Sequence, residues 1–294
     1  MNVKSREKSP LLHKNTRINR SSAGNIINLL FIMLVASFMI LPLIFCISNA
    51  FKPLDEIFMF PPRFFVRNPS IKNMRDLFLL MQGSWVPFSR YISNTLFITT
   101  SGTVLHVVFG SLAAYILAKH KFPGRKTIFQ IVIITLMFSN VVTQIPNYII
   151  MSKIGWIDTY FAIIIPAIAT PLGLFLMKQF MEQIPDSLIE SARIDGAGEI
   201  RTFWLIAMPS VKPAWITMII FSFQPLWNTT GGNFIFREEL KTLPYALNQI
   251  MLGGIARAGV ASAATLIIIS VPIIMFAFLQ SQIIETMATS GIKE

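Results

Sequence analysis

The sequence predicts an all-α membrane protein with six transmembrane helices. Of the 294 residues, 53% are hydrophobic and only 13% are charged, a balance too apolar for a soluble domain. Stretches without Asp, Glu, Lys or Arg that are long enough to cross a bilayer recur six times, which predicts a polytopic membrane protein. These stretches are 21–51, 91–118, 127–152, 159–177, 214–236 and 258–284.

The first stretch follows a basic tail, residues 1–20, in which six Lys or Arg residues face Glu7 as the only acid. The stretch is too long for a signal peptide and no A-x-A-like cleavage site follows it, so we expect a retained membrane helix. It contains Cys46, the only cysteine of the chain, which excludes an intrachain disulfide and a cysteine-based metal site. Residues 21–294 are predicted to form one membrane domain.

The charges between the stretches predict the orientation. The loop 119–126, between the second and third stretches, has four Lys or Arg residues and no acid. Because basic loops stay in the cytoplasm, we expect this loop, the tail and, with six spans, both termini to be cytoplasmic in a bacterial inner membrane. The 52–90 segment is then external, although it also contains six Lys or Arg residues beside three acids. The net charge of +11 therefore reflects membrane orientation, and we expect no nucleic-acid partner.

The fourth and fifth stretches are interrupted by Pro166, Pro171 and Pro225. Proline is tolerated in membrane helices when neighbouring helices satisfy the freed backbone groups. We therefore still predict two spans here.

The segment 182–213 lies between these two stretches and has a different character. Pro185 can open a short helix, Gly196 fits a left-handed cap at its end, and a second helix at about 199–207 contains Phe203. The result is a charged helix–turn–helix with a small apolar surface, too polar to enter the bilayer. Such a surface indicates either a protein partner or an amphipathic loop resting on lipid headgroups.

The spacing within this segment favours a protein partner. Glu190, Ala192, Gly196, Ile206 and Pro209 resemble the EAA motif of ABC importer permeases, on which a cytosolic ATPase subunit docks. Ser191 and Met208 stand where the family has Ala and Leu. Further matches resemble the carbohydrate-uptake branch, in particular its six-span MalG-like subunit; they are Asp195-Gly196-Ala197, Ala114-Tyr115, Phe122-Pro123-Gly124-Arg125-Lys126, Asn94-Thr95-Leu96, Trp227-Asn228 and Thr242-Leu243-Pro244.

This resemblance implies the type I ABC importer permease fold and transport by alternating access. It implies four partners: a second, homologous permease, a cytosolic ATPase dimer, an extracellular or periplasmic solute-binding protein, and a carbohydrate, most simply an oligosaccharide. ATP and Mg would be bound by the ATPase, since this chain has no P-loop motif and is not expected to be an enzyme. The residues implied in ATPase coupling are Glu190, Ala192, Asp195, Gly196, Ala197, Phe203 and Pro209.

Polar residues within the stretches are candidates for the substrate pathway. In the third stretch Asn140, Gln144, Asn147 and Tyr148 share one helical face, and Asn94 and Asn228 are weaker candidates elsewhere. Polar groups are costly in hydrocarbon, so this face should meet either a sugar-binding, hydrated path or other helices. The residues alone leave both interpretations open.

Other mechanisms find less support in the sequence. All six stretches lack Asp and Glu, whereas an ion-driven transporter needs intramembrane ionisable groups. The three histidines are scattered, and we expect His106 to make a helix-packing hydrogen bond, Gly102 and Gly110 to allow close helix approach, and no metal to bind. A polyol or glycerol phosphate remains the alternative substrate.

Overall fold

The computed structural model describes residues 22–83 and 85–290, without the side chains of 22, 23, 140 and 282–290. The predicted basic tail, 1–20, lies outside this part of the chain. All regular structure in the described ranges is helical, as the composition predicts. The helices are α1 (Ser22–Phe51), α2 (Leu54–Ile57), α3 (Lys72–Gln82), α4 (Phe88–Lys119), α5 (Arg125–Thr135), α6 (Asn140–Lys153), α7 (Phe161–Ile168), α8 (Pro171–Glu182), α9 (Asp186–Ile194), α10 (Glu199–Thr202), α11 (Met208–Ser210), α12 (Lys212–Trp227), α13 (Leu243–Met251) and α14 (Ala258–Ser290).

The backbone divides into two compact units, one ending at Phe45 and one beginning at Cys46. The described part of the first unit is the apolar beginning of α1. Helices α2 to α14 belong to the second unit.

Helix α4 is the central element of the second unit and packs against α7, α8 and α12. Two of its glycines let α12 approach closely. A Cβ on Gly102 would stand 2.6 Å from Leu226 Cδ1, and one on Gly110 would stand 2.8 Å from Met218 Cε. The close-approach role predicted for these glycines is therefore confirmed.

His106 joins α4 to the break between α7 and α8. Its Nδ1 lies 2.9 Å from the carbonyl oxygen of Ile168, and because a carbonyl only accepts, Nδ1 is the protonated nitrogen. Ile168 ends α7, so its carbonyl lacks a partner from a continuing helix. Gly173 makes room for the ring, since a Cβ there would stand 2.2 Å from His106 Nε2. This is the helix-packing hydrogen bond that the sequence predicts.

The segment before α4 is folded against the protein. We expect short helices near 54–60 and 74–80, and the structure has α2 and α3 there. Helix α3 packs on α14 and buries Leu77 and Met81. Buried Lys52 ties the segment together, because its ammonium donates to Asn49 Oδ1 at 2.8 Å and its carbonyl accepts from Asn73 Nδ2 at 2.7 Å.

Helix length and composition do not confirm the predicted count of six spans. In the described ranges four helices are long and apolar enough to span a bilayer, and a pair of helices bent by 84°, Glu199–Ser210 with Lys212–Trp227, makes a fifth if the pair is one span. The predicted third span, 127–152, is broken into α5 and α6. Ser139 caps α6 by accepting a hydrogen bond from the amide of Val141, and such a cap starts a new helix.

Candidate functional site

The 182–213 segment begins at an ion pair with the end of α4. The ammonium of Lys119 lies 2.7 Å from Asp186 Oδ1, in the first turn of α9, and it also donates to the carbonyl of Ile184. The hydrogen bond from Lys119 to the Asp186 carboxylate and the Lys119 charge hold the pKa of that carboxyl below its usual value. A carboxylate also suits the positive end of the helix dipole. The ion pair fixes where α9 starts.

Gly196 ends α9 in a Schellman motif. Its φ is +79°, its amide donates to the Arg193 carbonyl at 3.0 Å, and the amide of Ala197 donates to the Ala192 carbonyl at 2.9 Å. These two bonds satisfy carbonyls that the helix end leaves free. The left-handed cap predicted from the sequence is confirmed, and it sets the angle between α9 and α10.

Glu199 connects the two short helices to the end of α4. Its carboxylate lies 2.8 Å from Arg193 Nη2 and 3.4 Å from His120 Nε2. The hydroxyl of Tyr115 donates to it at 3.4 Å. One carboxylate thus contacts α9, α4 and the 119–126 loop, so these parts hold a common position. Sequence reasoning missed Glu199, although it opens α10, where an acid favours the helix dipole.

The inward face of the segment is buried. Ile189, Ala192 and Phe203 are 3%, 5% and 1% exposed, and Ile189 and Phe203 belong to a core shared with α4, α8 and α12. The Phe203 ring meets Tyr115 edge to face at a centroid distance of 5.4 Å. Of the predicted coupling residues, Ala192 and Phe203 therefore have buried side chains that hold the segment against the rest of the protein, and these side chains do not reach its surface.

The outward face carries the remaining predicted residues. Glu190, Asp195, Gly196 and Pro209 are exposed and Ala197 is half-buried. Two isoleucines that sequence reasoning missed lie beside them: Ile194 is 85% exposed and Ile200 is 75% exposed. The signal for Ile194 was its spacing, since it lies four residues after Glu190 and on the face opposite Ile189. The outward face is apolar at its centre and charged around it.

Pro209 lies where the segment turns into α12. It has no N–H to pair with the carbonyl of Leu205, four residues earlier. The backbone widens there into a π-helical turn, Phe203–Ala207, which is how a helix absorbs a local mismatch. The 84° bend that follows separates the segment from the membrane helix.

The predicted pathway residues lie in different places. Asn94 is buried, and its amide donates to the carbonyls of Glu239 and Lys241, each at 2.8 Å, while its oxygen accepts from Tyr160 at 2.7 Å. All of these partners belong to the chain, so Asn94 holds α4 to neighbouring segments. Asn228 is exposed and caps α12, donating to the Gln224 carbonyl at 2.9 Å.

The four candidates of the third stretch lie on α6, at the edge of the unit. Gln144 is exposed, Tyr148 is 39% exposed and Asn147 is half-buried; Asn140 starts α6, and its side chain is outside the described set. Tyr148 contacts Phe234 at a centroid distance of 6.3 Å. The side chains of Gln144, Asn147 and Tyr148 are thus partly or fully exposed and available to a partner. Within the described residues, no group of three or more His, Cys, Asp or Glu could hold a metal ion.

Comparison with known proteins gives consistent matches. The family model "Binding-protein-dependent transport system inner membrane component" matches residues 106–287, more than half of the chain. Protein LplC of Bacillus subtilis (strain 168) is 34% identical over 219 residues, which is 73% of this chain and 70% of that protein. The arabinooligosaccharides transport system permease protein AraQ of the same organism is 28% identical over 270 residues, 90% of this chain and 94% of its own length.

A solved structure shares the fold. It is the crystal structure of a bacterial ABC transporter involved in the import of the acidic polysaccharide alginate, and one of its chains matches with a TM-score of 0.75 at 22% identity, covering 89% of this chain and 98% of that one. Sequence and fold therefore agree over nearly the whole length of the described chain. The chain belongs to the family of binding-protein-dependent transport system inner membrane components.

Proposed function

We propose that this chain is one of two permease subunits of an ATP-driven importer that moves an oligosaccharide across the bacterial inner membrane by alternating access. Family membership supports the importer. AraQ, named for arabinooligosaccharides, matches over 94% of its length, and the structural neighbour belongs to an alginate importer. Both names denote chains of sugar units, which supports an oligosaccharide over a polyol or glycerol phosphate.

In this proposal the 182–213 segment is the EAA coupling loop on which the ATPase docks. Its inward face is anchored by Phe203 and its start by the Lys119–Asp186 ion pair. Its outward face presents Ile194 and Ile200 to solvent. A rigid segment with an unpartnered apolar centre and a charged rim has the anatomy of a docking surface. Glu190, Asp195 and Ile194 contact the ATPase, whereas Ala192 and Phe203 position them, and ATP and Mg are bound by the ATPase.

The α5–α6 pair is the third of six spans in this proposal. The pair covers Arg125–Lys153, and its exposed surface suits packing against the second permease. The polar face with Gln144, Asn147 and Tyr148 then lies at or near the boundary between the two permeases. A path for a hydroxyl-rich solute would run along this boundary. The same polar face could then line the path and also form hydrogen bonds to helices of the second permease.

The observation that carries the proposal is the exposed Ile194 on the anchored segment. A test is Ile194→Glu in the complex with the second permease, the ATPase and the solute-binding protein. We expect about a tenfold or greater loss of co-purified ATPase, because burying a new charge at an interface centre is costly. Saccharide-stimulated ATP hydrolysis and uptake in proteoliposomes should fall in parallel.

The matched control is Ile71→Glu. Ile71 is 73% exposed and lies at the other end of the unit, before α3. It should retain wild-type ATPase association. Full ATPase association and coupled uptake in Ile194→Glu would overturn the assignment of the 182–213 segment.

A further inference from the structure

An open cavity lies at the opposite end of α4 from the 182–213 segment. It has a volume of about 470 Å³, within the range of roughly 300–1,000 Å³ typical of small-ligand pockets. Helix α4 has 32 residues, so its two ends are about 48 Å apart. The cavity is lined by Trp85, Val86, Pro87, Ser89, Arg90, Ser93 and Glu239.

The walls of this cavity are held in place by hydrogen bonds between α4 and the 238–239 loop. Asn94 binds the Glu239 carbonyl at 2.8 Å, and the hydroxyl of Tyr91 donates to Glu238 Oε1 at 2.7 Å. Arg90 Nε donates to the same Glu239 carbonyl at 3.3 Å. Val86 is 5% exposed and anchors the residues before α4. The two sides of the cavity, although about 150 positions apart in sequence, form one preformed surface.

The cavity combines an exposed aromatic side chain with charged groups that form no ion pair in the part of the chain that the structure describes. The indole of Trp85 is 98% exposed, which leaves a large apolar face in contact with solvent. The guanidinium of Arg90 and the carboxylate of Glu239 have no ion-pair partner among the described residues. Ser89 and Ser93 add hydroxyls one turn apart on α4. A flat apolar side chain thus lines the same cavity as both donors and acceptors.

We propose that this cavity is a reception subsite for one sugar ring of the oligosaccharide. A pyranose or furanose ring has one face of C–H groups, which packs on the indole of Trp85. Its neighbouring hydroxyls both donate and accept, so they can bind the Glu239 carboxylate and the Arg90 guanidinium together. A phospholipid headgroup phosphate needs donors only, and the carboxylate of Glu239 opposes it. The combination therefore favours a polyhydroxylated ring.

This inference rests on the proposed function and adds to it the place where the sugar first contacts this chain. If the 182–213 segment meets the ATPase in the cytosol, the cavity lies on the side from which the solute-binding protein delivers substrate. A sugar ring held there would contact the permease before the membrane path opens.

The test measures uptake in proteoliposomes that contain the full complex, with arabinotriose and trigalacturonate as probes. We expect Trp85→Ala to slow uptake of both sugars by roughly 3- to 10-fold, the effect of losing one aromatic contact, and Trp85→Phe to restore most of it. Arg90→Gln should affect trigalacturonate more than arabinotriose, because only the first carries carboxylates. Saturation-transfer NMR on the complex without solute-binding protein should show sugar signals that Trp85→Ala removes.

Phe65→Ala is the control, since Phe65 is also an exposed aromatic residue, 67% exposed, of the segment before α4. It should leave uptake and NMR signals unchanged. If the wild-type complex imports sugar and Trp85→Ala imports it equally well with unchanged NMR signals, the subsite is refuted while the proposed function stands. Reduced membrane insertion of Trp85→Ala without loss of sugar signals would also refute it, and would assign Trp85 to the lipid interface. Uptake of a polyol or glycerol phosphate by wild type, and of neither sugar, would instead contradict the proposed function.

Discussion

Gly196 is the residue whose backbone sets the shape of the candidate coupling segment. Its φ of +79° costs a β-branched residue about 1 kcal/mol or more. A Cβ there would meet no atom within 4 Å, so the effect of Gly196→Thr is conformational and not a clash. We expect this variant to insert into the membrane normally but to lose most of its ATPase association and substrate-stimulated ATP hydrolysis, measured by co-purification and phosphate release.

Gly198 provides the matched control for this prediction. Its φ is −70°, an added Cβ would again meet no atom, and it is the N-cap of α10, where Thr is about as favourable as Gly. Gly198→Thr should therefore keep wild-type coupling. Equal activity in the two variants would show that the turn geometry at Gly196 does not matter for coupling.

The two kinds of residue in this segment differ in how far the sequence predicts them. The conformation of Gly196 has a local cause, a glycine after a short helix, and the sequence predicts it correctly. The burial of Phe203 depends on Tyr115, 88 positions earlier. Two partners of Glu199 are equally distant in sequence, because Tyr115 lies in α4 and His120 follows it. Spacing within the segment contains no information about such contacts. The sequence therefore indicates which segment is special, but not which of its side chains support it and which face solvent.

Among the connections between helices, the α6–α7 loop is hydrogen-bonded through Asp158 to the loop between α12 and α13; we call these bonds the Asp158 clasp. Asp158 is the only non-glycine residue of the described chain with positive φ, 63°. Its carboxylate accepts from the amides of Phe236 and Arg237 at 3.0 and 2.9 Å and from Arg237 Nε at 2.7 Å. Its own amide donates to the Phe234 carbonyl at 2.7 Å. The α6–α7 loop thereby holds the 234–237 backbone.

We expect Asp158→Ala to raise the rate of trypsin cleavage after Arg237 and Lys241 by about tenfold, because it removes hydrogen bonds to a charged group and cleavage follows local opening. Asp158→Asn should have a smaller effect, since Asn tolerates the left-handed region and keeps one acceptor oxygen. Cleavage is read by mass spectrometry of the purified complex. Wild-type cleavage in Asp158→Ala would show that the clasp does not order this loop.

This clasp should be complete at neutral pH. Burial would raise the pKa of the Asp158 carboxyl, but the hydrogen bonds from the Arg237 and Phe236 amides and the Arg237 guanidinium outweigh it and hold the pKa below its usual value. A carboxylate with a depressed folded-state pKa contributes its full stability above the unfolded value and loses it as the pH falls through the folded value. Assays at neutral pH therefore measure the charged form.

The helices also show what hydrophobic patterning leaves undetermined. The uncharged run 127–152 is long enough for one span, yet it forms α5 and α6, because run length does not detect a serine cap inside an apolar stretch. The break between α7 and α8 falls just before Pro171, and here the sequence gives a signal, since the residue before a proline disfavours the helical conformation. The 84° bend before α12 has a different position relative to its proline, because it lies at Val211, two residues after Pro209, where φ is −111° and ψ is 31°.

At the scale of the whole molecule, α4 connects two surfaces of different chemistry. The end that contains Tyr115 and Lys119 contacts the 182–213 segment, and the end near Trp85 contacts the loop with Glu239. Charge patterning predicts that the 119–126 loop and the 182–213 segment lie on one side of the membrane, and their ion pairs place them at one end of the second unit. Which end faces the cytoplasm is a prediction of the basic residues alone.

That orientation can be tested with single cysteines in a Cys46→Ser background. Ile71, Leu252 and Ile200 are 73%, 78% and 75% exposed, so a cysteine at each should react wherever reagent reaches it. In intact cells we expect a membrane-impermeant maleimide to label Ile71→Cys and Leu252→Cys, and to label Ile200→Cys only after permeabilisation. The physical reason is that the four Lys and Arg residues of 119–126, two of which pair with acids of the 182–213 segment, resist transfer across the bilayer. Labelling of Ile200→Cys in sealed cells with protection of the other two would reverse the membrane orientation, and with it the sides assigned to the ATPase and to the sugar. The Cys46→Ser parent, which has no cysteine, gives the background of the measurement.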